Sequence, residues 1–196
     1  MEISSRRLVD AAADLIAEKG WEATTAAEIG RRAGYSRAMV HARYGSKEAI
    51  LDAFFDHEYV KRLSPDPDPS ASGLQQALAH FDHLQGLYAD DREFLRAMFV
   101  ATFEGAKATS ALRGRVQQYL RGGNEKVKAG LRKGLRDGSV RKDVDLARAV
   151  SDISAAAFGL AYQWIALPDG YDLARELRHV RSRLVAAYGP RANLTK

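Results

Sequence analysis

The chain has 196 residues, of which 46% are hydrophobic and 28% are charged, and its formal net charge is +5. These proportions are typical of a folded globular protein and exclude a disordered or fibrous chain. Because the sequence contains no cysteine, disulfides, thiolate metal sites and cysteine nucleophiles are excluded together. Its longest nearly apolar stretch, residues 155–162, is far shorter than the roughly 20 residues that a bilayer span needs, so we expect a cytoplasmic protein without membrane contact.

Apolar residues recur at helical spacing from end to end, and the period-2 alternation of half-buried strands is almost absent. We therefore predict an all-α fold of about nine helices. The first helix is indicated by Leu8, Ala12, Leu15 and Ile16, which share one face. Gly20 follows this face and is placed to end the helix.

Two short helices follow, joined by a turn that contains glycine. Thr25 and Glu28 form a capping box that starts the second helix, and Gly34 ends it. Ser36 caps the third helix, which breaks at Gly45. This order of helix, turn and capped helix is the supersecondary unit that places one helix in the major groove of DNA.

A fourth helix is predicted to begin at Ser46 and to run to about Leu63. The next ten residues, Ser64–Gly73, carry three prolines and no periodicity, so they form a loop between two parts of the chain. We predict a helix-turn-helix domain in residues 1–50 and a second helical domain in residues 51–196. The fourth helix, residues 46–63, connects them.

Five further helices are predicted in the second part. The first carries apolar positions from Leu74 to Tyr88, and the next runs through Phe94 and Met98. A long helix spans about residues 111–136 and ends at Gly138. Residues 113–148 hold eleven basic and four acidic side chains, which we interpret as a solvated face.

The last two predicted helices are more apolar than the others. The helix after Asp145 carries apolar stripes on two opposite sides, and the helix after Asp172 has the three- and four-residue spacing of a helical bundle. Because a monomer of this size does not hide so much apolar surface, we predict that these helices pair between two copies of the chain. The predicted dimer interface is Ile153, Ala157, Leu160, Trp164, Leu177, Val180 and Leu184.

A basic run overlaps the third helix. Residues 31–47 carry five basic side chains and no acidic one. Such a run alone is typical of a solvated face, but the caps, the turn and the spacing together favour contact with double-stranded DNA. Arginine binds guanine or phosphate, and the N–H groups at a helix start bind phosphate. The predicted DNA contacts are Thr25, Ser36, Arg37, Ala38, Met39, His41, Ala42, Arg43 and Lys47.

The run TTAAEIGRRAGYSRAMVHARYGSKEAIL resembles the DNA-binding module of the TetR family of regulators. The resemblance covers roughly residues 5–55. It implies a homodimer that binds a palindromic operator, with phosphate contacts from Thr25 and Lys47. It also implies that residues 51–196 form a ligand-binding and dimerisation domain for a small-molecule effector.

The chain departs from the family pattern in the third helix. Ala38–Met39 and His41 stand where the family usually has Gly-Thr and an aromatic Tyr, which leaves the base preference and one phosphate contact open. The resemblance implies a sequence-specific transcription regulator, and repression relieved by ligand is our first interpretation. An activator of the same architecture is an alternative. A helical small-molecule-binding protein with weakened DNA recognition is another, and the altered Met39 and His41 favour it.

The sequence lacks the motifs that are typical of an enzyme active site. It has no Gly-rich phosphate loop, no nucleophile elbow and no carboxylate pair in a recognisable frame, so we expect neither catalysis nor a cofactor. His80 and His83, with Glu104, are candidate metal ligands. Histidines one turn apart more often lie at a surface or line a pocket, so we predict no metal site.

An apolar pocket is expected for the effector, since ligand pockets are mostly apolar with a few polar groups. The expectation rests on the family resemblance and on the number of aromatic residues in the second part, although core packing explains any one of them. The predicted lining is Phe81, His83, Tyr88, Met98, Phe99, Phe103, Tyr119, Phe158 and Tyr162.

Overall fold

The computed structural model describes residues 3–55, 60–63, 65–167 and 169–191, and among these residues there are helices and no strands. The all-α prediction is therefore confirmed. The predicted fourth helix contains α4 and α5, while its residues 56–59 lie outside the described ones. The helices are α1 (Ile3–Lys19), α2 (Ala26–Ala33), α3 (Arg37–Tyr44), α4 (Lys47–Ala53), α5 (Val60–Leu63), α6 (Gly73–Asp90), α7 (Arg92–Glu104), α8 (Arg113–Asp137), α9 (Leu146–Ala166) and α10 (Leu173–Tyr188).

The three caps predicted for the N-terminal helices are present. Thr25, Ser36 and Ser46 each accept, through the side-chain oxygen, the backbone N–H of the third residue on. Gly34 ends α2 with φ of 80°, a left-handed conformation that glycine adopts without steric cost. Local sequence therefore sets the start of α2, α3 and α4.

The chain divides into two compact units. One unit comprises Met1–Pro65 with Asp90–Gln118, and the other comprises Asp66–Ala89 with Tyr119–Lys196. Helix α7 and the first residues of α8 thus pack with the N-terminal helices, although they lie beyond the predicted domain boundary at residue 50. Because a packing unit need not coincide with a functional domain, the division of function at residue 50 stays a prediction.

The core of the first unit is built on α1. The four residues predicted to share its apolar face are buried, and Trp21, Ile29 and Val40 join them from the following elements. Phe54 meets Phe94 of α7 edge to face, with ring centres 6.1 Å apart. Since each buried large side chain contributes about 1.5–3 kcal/mol, this small core is sufficient to hold the short helices α2 and α3 in place.

In the second unit, α6 and α8 cross with their backbones in contact. A Cβ atom at Gly130 would lie 2.5 Å from the backbone nitrogen of Ala77, and one at Gly73 would overlap the backbone of Gly134. The Asp137 carboxylate accepts the N–H of Gly73 at 2.8 Å beside this crossing. Glycine is required there because no side chain fits between the two backbones.

We expect Gly130→Ala to destabilise the protein by about 1–3 kcal/mol, because the added methyl group overlaps the backbone of α6. Gly122→Ala is the matched control on the same helix, since no atom lies within 4 Å of a Cβ placed there. It should stabilise the protein by about 0.5–1 kcal/mol through the higher helix propensity of alanine. Urea unfolding measures both changes. Equal midpoints for the two variants would contradict the backbone contact.

Candidate nucleic-acid interface

Helix α3 is anchored to the rest of the first unit through one apolar side chain. Val40 is the buried residue of this eight-residue helix, with 2% of its surface exposed. It lies over Gly30 of α2, where a Cβ atom would come within 2.8 Å of Val40 Cγ2. The missing side chain at Gly30 lets the two helices approach closely, which is the packing a helix-turn-helix requires.

Most of α3 faces away from the core. Every α3 residue that the sequence predicts to contact DNA is exposed, and so is Ser36 at the cap. Met39 is 51% exposed. The structure therefore brings the predicted contacts of α3 together on one surface, and their contact with DNA stays a prediction. The exposed α3 residues are Arg37, Ala38, Met39, His41, Ala42 and Arg43.

The end of α3 is tied to the start of α1. Arg43 Nε donates a hydrogen bond to Ser5 Oγ at 2.9 Å, and the Tyr44 hydroxyl donates to the Ser5 carbonyl oxygen at 3.3 Å. Tyr44 is half-buried, as expected for a residue of the supporting platform. Arg43 is consequently held beside α1, which places its charge at the edge of the α3 surface.

Lys47 rests on a tryptophan that the sequence interpretation did not connect with it. Its Nζ donates to the Trp21 carbonyl oxygen at 2.7 Å and lies 4.2 Å from the centre of the Trp21 ring. Partial burial at this position lowers the pKa of Lys47. An ammonium group has three N–H donors, so the bond to Trp21 leaves donors for a phosphate oxygen.

The helix start at Thr25 is less open than the sequence suggested. The backbone N–H of Thr25 donates to the Glu28 carboxylate at 3.0 Å, and its hydroxyl donates to the same oxygen at 2.8 Å. Lys19 pairs with Glu28 at 2.6 Å, and hydrogen bonds from Lys19 and Thr25 lower the pKa of Glu28 to about 2. A phosphate at Thr25 therefore meets the ionised carboxylate of the capping box beside it.

A carboxylate from α7 holds the turn between α1 and α2. Glu104 accepts the backbone N–H of Trp21 at 2.7 Å and that of Glu22 at 2.9 Å. Gly20 stands in the same turn with φ of +81°, and a Cβ atom there would lie 3.0 Å from Glu104 Oε2. The turn that supports Lys47 through Trp21 is thus fixed by the last residue of α7, far away in the sequence.

The candidate metal ligands do not form a site. Glu104 is engaged by the α1–α2 turn, and within the described ranges no group of three or more histidine, aspartate or glutamate side chains is placed to hold a metal ion. The ring of His80 lies 4.3 Å from that of Phe81. Desolvation by burial lowers the pKa of His80 to about 4, so the imidazole is neutral near pH 7.

Replacing Glu104 by glutamine should destabilise the protein by about 1–3 kcal/mol, because an uncharged amide that offers one oxygen must replace two charge-assisted hydrogen bonds. Thermal and urea unfolding measure the decrease in stability.

Glu22→Gln is the matched control for this change. Glu22 is exposed and forms a 3.5 Å ion pair with Lys107, and such surface pairs contribute roughly 0–1 kcal/mol. The same chemical change should therefore have a much smaller effect there. If both variants unfold like the unmodified protein, Glu104 does not hold the turn.

The predicted pocket residues are divided between the two units. Met98 and Phe99 are buried in the first unit, and Phe81 is buried in the second. Phe99 and Phe103 stack with ring centres 6.2 Å apart. Tyr162, in contrast, is 61% exposed. His83, Tyr119 and Phe158 are half-buried.

A groove is present elsewhere in the second unit, and it contains none of the predicted lining residues. Its volume is about 380 Å³. Apolar side chains from α6 and α10, together with Pro190, form part of its wall, and the rest is polar. It is lined by Ser72, Leu74, Gln75, Leu78, Ser139, Arg181, Val185 and Pro190.

Most residues of the predicted dimer interface are buried within the single chain. Six of its seven residues have exposed fractions of 9% or less within the single chain, and Val180 is half-buried. They pack inside the second unit, where Trp164 meets Tyr88 of α6 edge to face at 5.5 Å. They therefore leave little exposed surface for a partner, and their role in a dimer stays a prediction. The six buried residues are Ile153, Ala157, Leu160, Trp164, Leu177 and Leu184.

One side of α9 lies on the surface. It shares Ala155 and Tyr162 with the second predicted apolar stripe, whose Phe158 and Ile165 are half-buried. Ala155, Gly159, Tyr162 and Ala166 are all exposed and recur at helical spacing along one side. No atom lies within 4 Å of a Cβ placed at Gly159. We call these four residues the α9 outer stripe. It is an exposed stripe of small residues and one tyrosine.

Comparison with known proteins identifies the family of the N-terminal module. Residues 8–54, which include α2, α3 and α4, match the family of bacterial regulatory proteins called the tetR family. These residues form a DNA-binding module of the TetR family of transcription regulators. Regulators of this family are not enzymes. Along the described parts of the chain, no helix has the combined length and apolarity needed to cross a bilayer.

The chain also has similar proteins along nearly its whole length. It is 22% identical over 183 residues to the fatty acid metabolism regulator protein of Bacillus subtilis (strain 168), which covers 92% of this chain and 93% of that protein. It shares its fold with SmeT, the repressor of the Stenotrophomonas maltophilia multidrug efflux pump SmeDEF, with a TM-score of 0.76, 21% identity and coverage of 96% and 91%. FadR from Bacillus subtilis in complex with stearoyl-CoA is similar, with a TM-score of 0.75, 22% identity and coverage of 92% and 97%.

Proposed function

We propose that this chain is a homodimeric TetR-family repressor that binds a palindromic operator and releases it when a small-molecule effector binds the C-terminal domain. The observation that carries the proposal is the outward surface of α3, where one residue is buried and six are exposed. Five basic side chains and no acidic one lie in residues 31–47 around this surface. A polyanion such as duplex DNA is therefore the partner that fits it.

Two cations of this region are positioned before DNA arrives. Lys47 is held on Trp21, and Arg43 is held by Ser5. Side chains that are already ordered lose less conformational entropy on binding. This favours phosphate contacts at the edges of α3, where such contacts set the register of the helix on the duplex.

The α9 outer stripe supports dimerisation. It is apolar and contains small residues that let a second helix approach closely, and the other face of α9 is already covered. A second copy of the same chain is the occupant we propose, because a two-fold axis through the stripe covers both copies at once. Such an axis makes the two α3 helices equivalent, as a palindromic operator makes its two half-sites equivalent.

Helix α7 is the element that we propose to couple effector binding to DNA binding. It belongs to the same compact unit as α1–α4, and its Glu104 holds the turn on which Lys47 rests. An effector that favours a different position of α7 changes the support of Lys47. The free energy that the effector contributes to releasing DNA equals the difference between its binding free energies for the DNA-bound and the DNA-released state.

Arg37→Ala and Lys47→Ala should each weaken operator binding by roughly 10- to 50-fold near physiological salt, because each removes one phosphate contact per subunit. The slope of log K against log salt should fall by about 1 for each phosphate that is no longer neutralised. Fluorescence anisotropy with an operator selected from a random pool measures both quantities. Circular dichroism checks that each variant is folded.

Arg132→Ala is the matched control, because Arg132 is an exposed arginine of α8 outside the proposed surface. Its affinity and salt slope should equal those of the unmodified protein. Unchanged binding by Arg37→Ala and Lys47→Ala would remove the site assignment. A protein that prefers no sequence over random duplex would remove the regulator proposal and favour a small-molecule-binding protein that lacks DNA recognition.

Gly159→Gln should shift the protein from dimer to monomer, raising the dimer dissociation constant by more than about tenfold through overpacking at the α9 outer stripe. The single chain accommodates the side chain, since the position is open, and glutamine favours the helix more than glycine does. Gly122→Gln places the same side chain at an open position of α8 and should leave the dimer intact. Sedimentation velocity distinguishes the two. A Gly159→Gln protein that remains as dimeric as the control would show that the interface lies elsewhere.

A further inference from the structure

The single buried residue of α3 fixes the direction of every other residue on this helix. Successive residues of an α-helix are about 100° apart, so Ala38 and Ala42 lie about 160° from Val40 and face straight away from the core. Met39 and His41 each lie about 100° from Val40, one on either side of the two alanines. We call Ala38, Met39, His41 and Ala42 the α3 ridge, and all four are exposed.

The arginines of α3 lie outside this ridge. Arg37 and Arg43 are each about 60° from Val40, which turns them back toward the supporting helices. The 2.9 Å hydrogen bond from Arg43 to Ser5 agrees with this direction. When α3 enters the major groove with its ridge toward the bases, the ridge meets the base edges. The two arginines then lie at the sides of the groove and meet phosphates.

The ridge is chemically unusual for a surface that reads DNA. It offers two methyl groups, one thioether side chain and one imidazole, and it contains no arginine, lysine or carboxylate. Among the described residues of the first unit, Met39 is the large hydrophobic side chain that is exposed, at 51%. On the major-groove edges of the bases, the C5-methyl group of thymine is the apolar feature. An imidazole N–H is a donor suited to the N7 acceptor of a purine.

We propose that the α3 ridge is the base-reading surface of this protein, that Met39 selects thymine through its C5-methyl group, and that His41 donates one hydrogen bond to a purine N7. This inference rests on the proposed function. Ala38 and Ala42 bring the helix backbone close to the bases because they project only a methyl group, and this lets the flexible Met39 side chain lie along a thymine. Sequence preference then depends on apolar contact more than on arginine–guanine pairing.

The test begins with the full-length protein and the operator that it selects from a random pool. Each thymine of a half-site is replaced in turn by uracil, which lacks the methyl group and keeps the same hydrogen-bonding groups. Affinity should fall roughly fourfold for each methyl group in contact. Uracil placed outside the half-sites is the control and should have no effect.

Two variants of the ridge separate the two contacts. Met39→Ala should bind the thymine operator more weakly and should no longer distinguish uracil from thymine. His41→Ala is its matched control, since it should keep the response to uracil and lose the response to a 7-deazapurine in the half-site. Both residues are exposed, so the fold is expected to tolerate either change.

The outcomes separate this inference from the function on which it rests. If the protein selects no sequence from the pool, both are overturned. If it selects a palindrome whose binding is unaffected by uracil at every half-site thymine, the inference about Met39 is overturned and the regulator proposal stands. A response to uracil that persists unchanged in Met39→Ala would also overturn it.

Discussion

The contact between Val40 and Gly30 determines what α3 presents to its surroundings. It is one small apolar contact, with 2.8 Å between Val40 Cγ2 and the place where a side chain at residue 30 would begin. A methyl group there would also come within 3.0 Å of the Tyr35 carbonyl oxygen. Any larger residue at 30 would therefore push α3 outward or rotate it. The proposed recognition surface thus depends on a residue that never reaches that surface.

The parts of the structure that depend on neighbouring residues could be predicted from the sequence. The caps at Thr25, Ser36 and Ser46 each involve a group three residues away, so local sequence contains all the information. The bond between Glu104 and Trp21 joins residues 83 positions apart. No local pattern indicates such a bond, and for this reason the sequence alone makes Glu104 a candidate metal ligand.

Helix α9 shows a second reason why prediction from sequence is incomplete. Both of its stripes are apolar and have the same spacing, so periodicity identifies two faces without assigning one of them to the core. The assignment is made by packing partners such as Tyr88, which covers Trp164 from α6. Periodicity therefore indicates two apolar faces, and the α9 residues predicted for the dimer interface lie on the face that the chain buries itself.

The glycine contact between α6 and α8 limits how the second unit can respond to a bound molecule. Where two backbones touch at Gly73, Gly130 and Gly134, there is no side chain to rearrange and no space to open. A tilt of one helix against the other would therefore turn about this crossing as its pivot. Displacement grows with distance from a pivot, so the far ends of α6 and α8 are where a small rotation becomes a large movement.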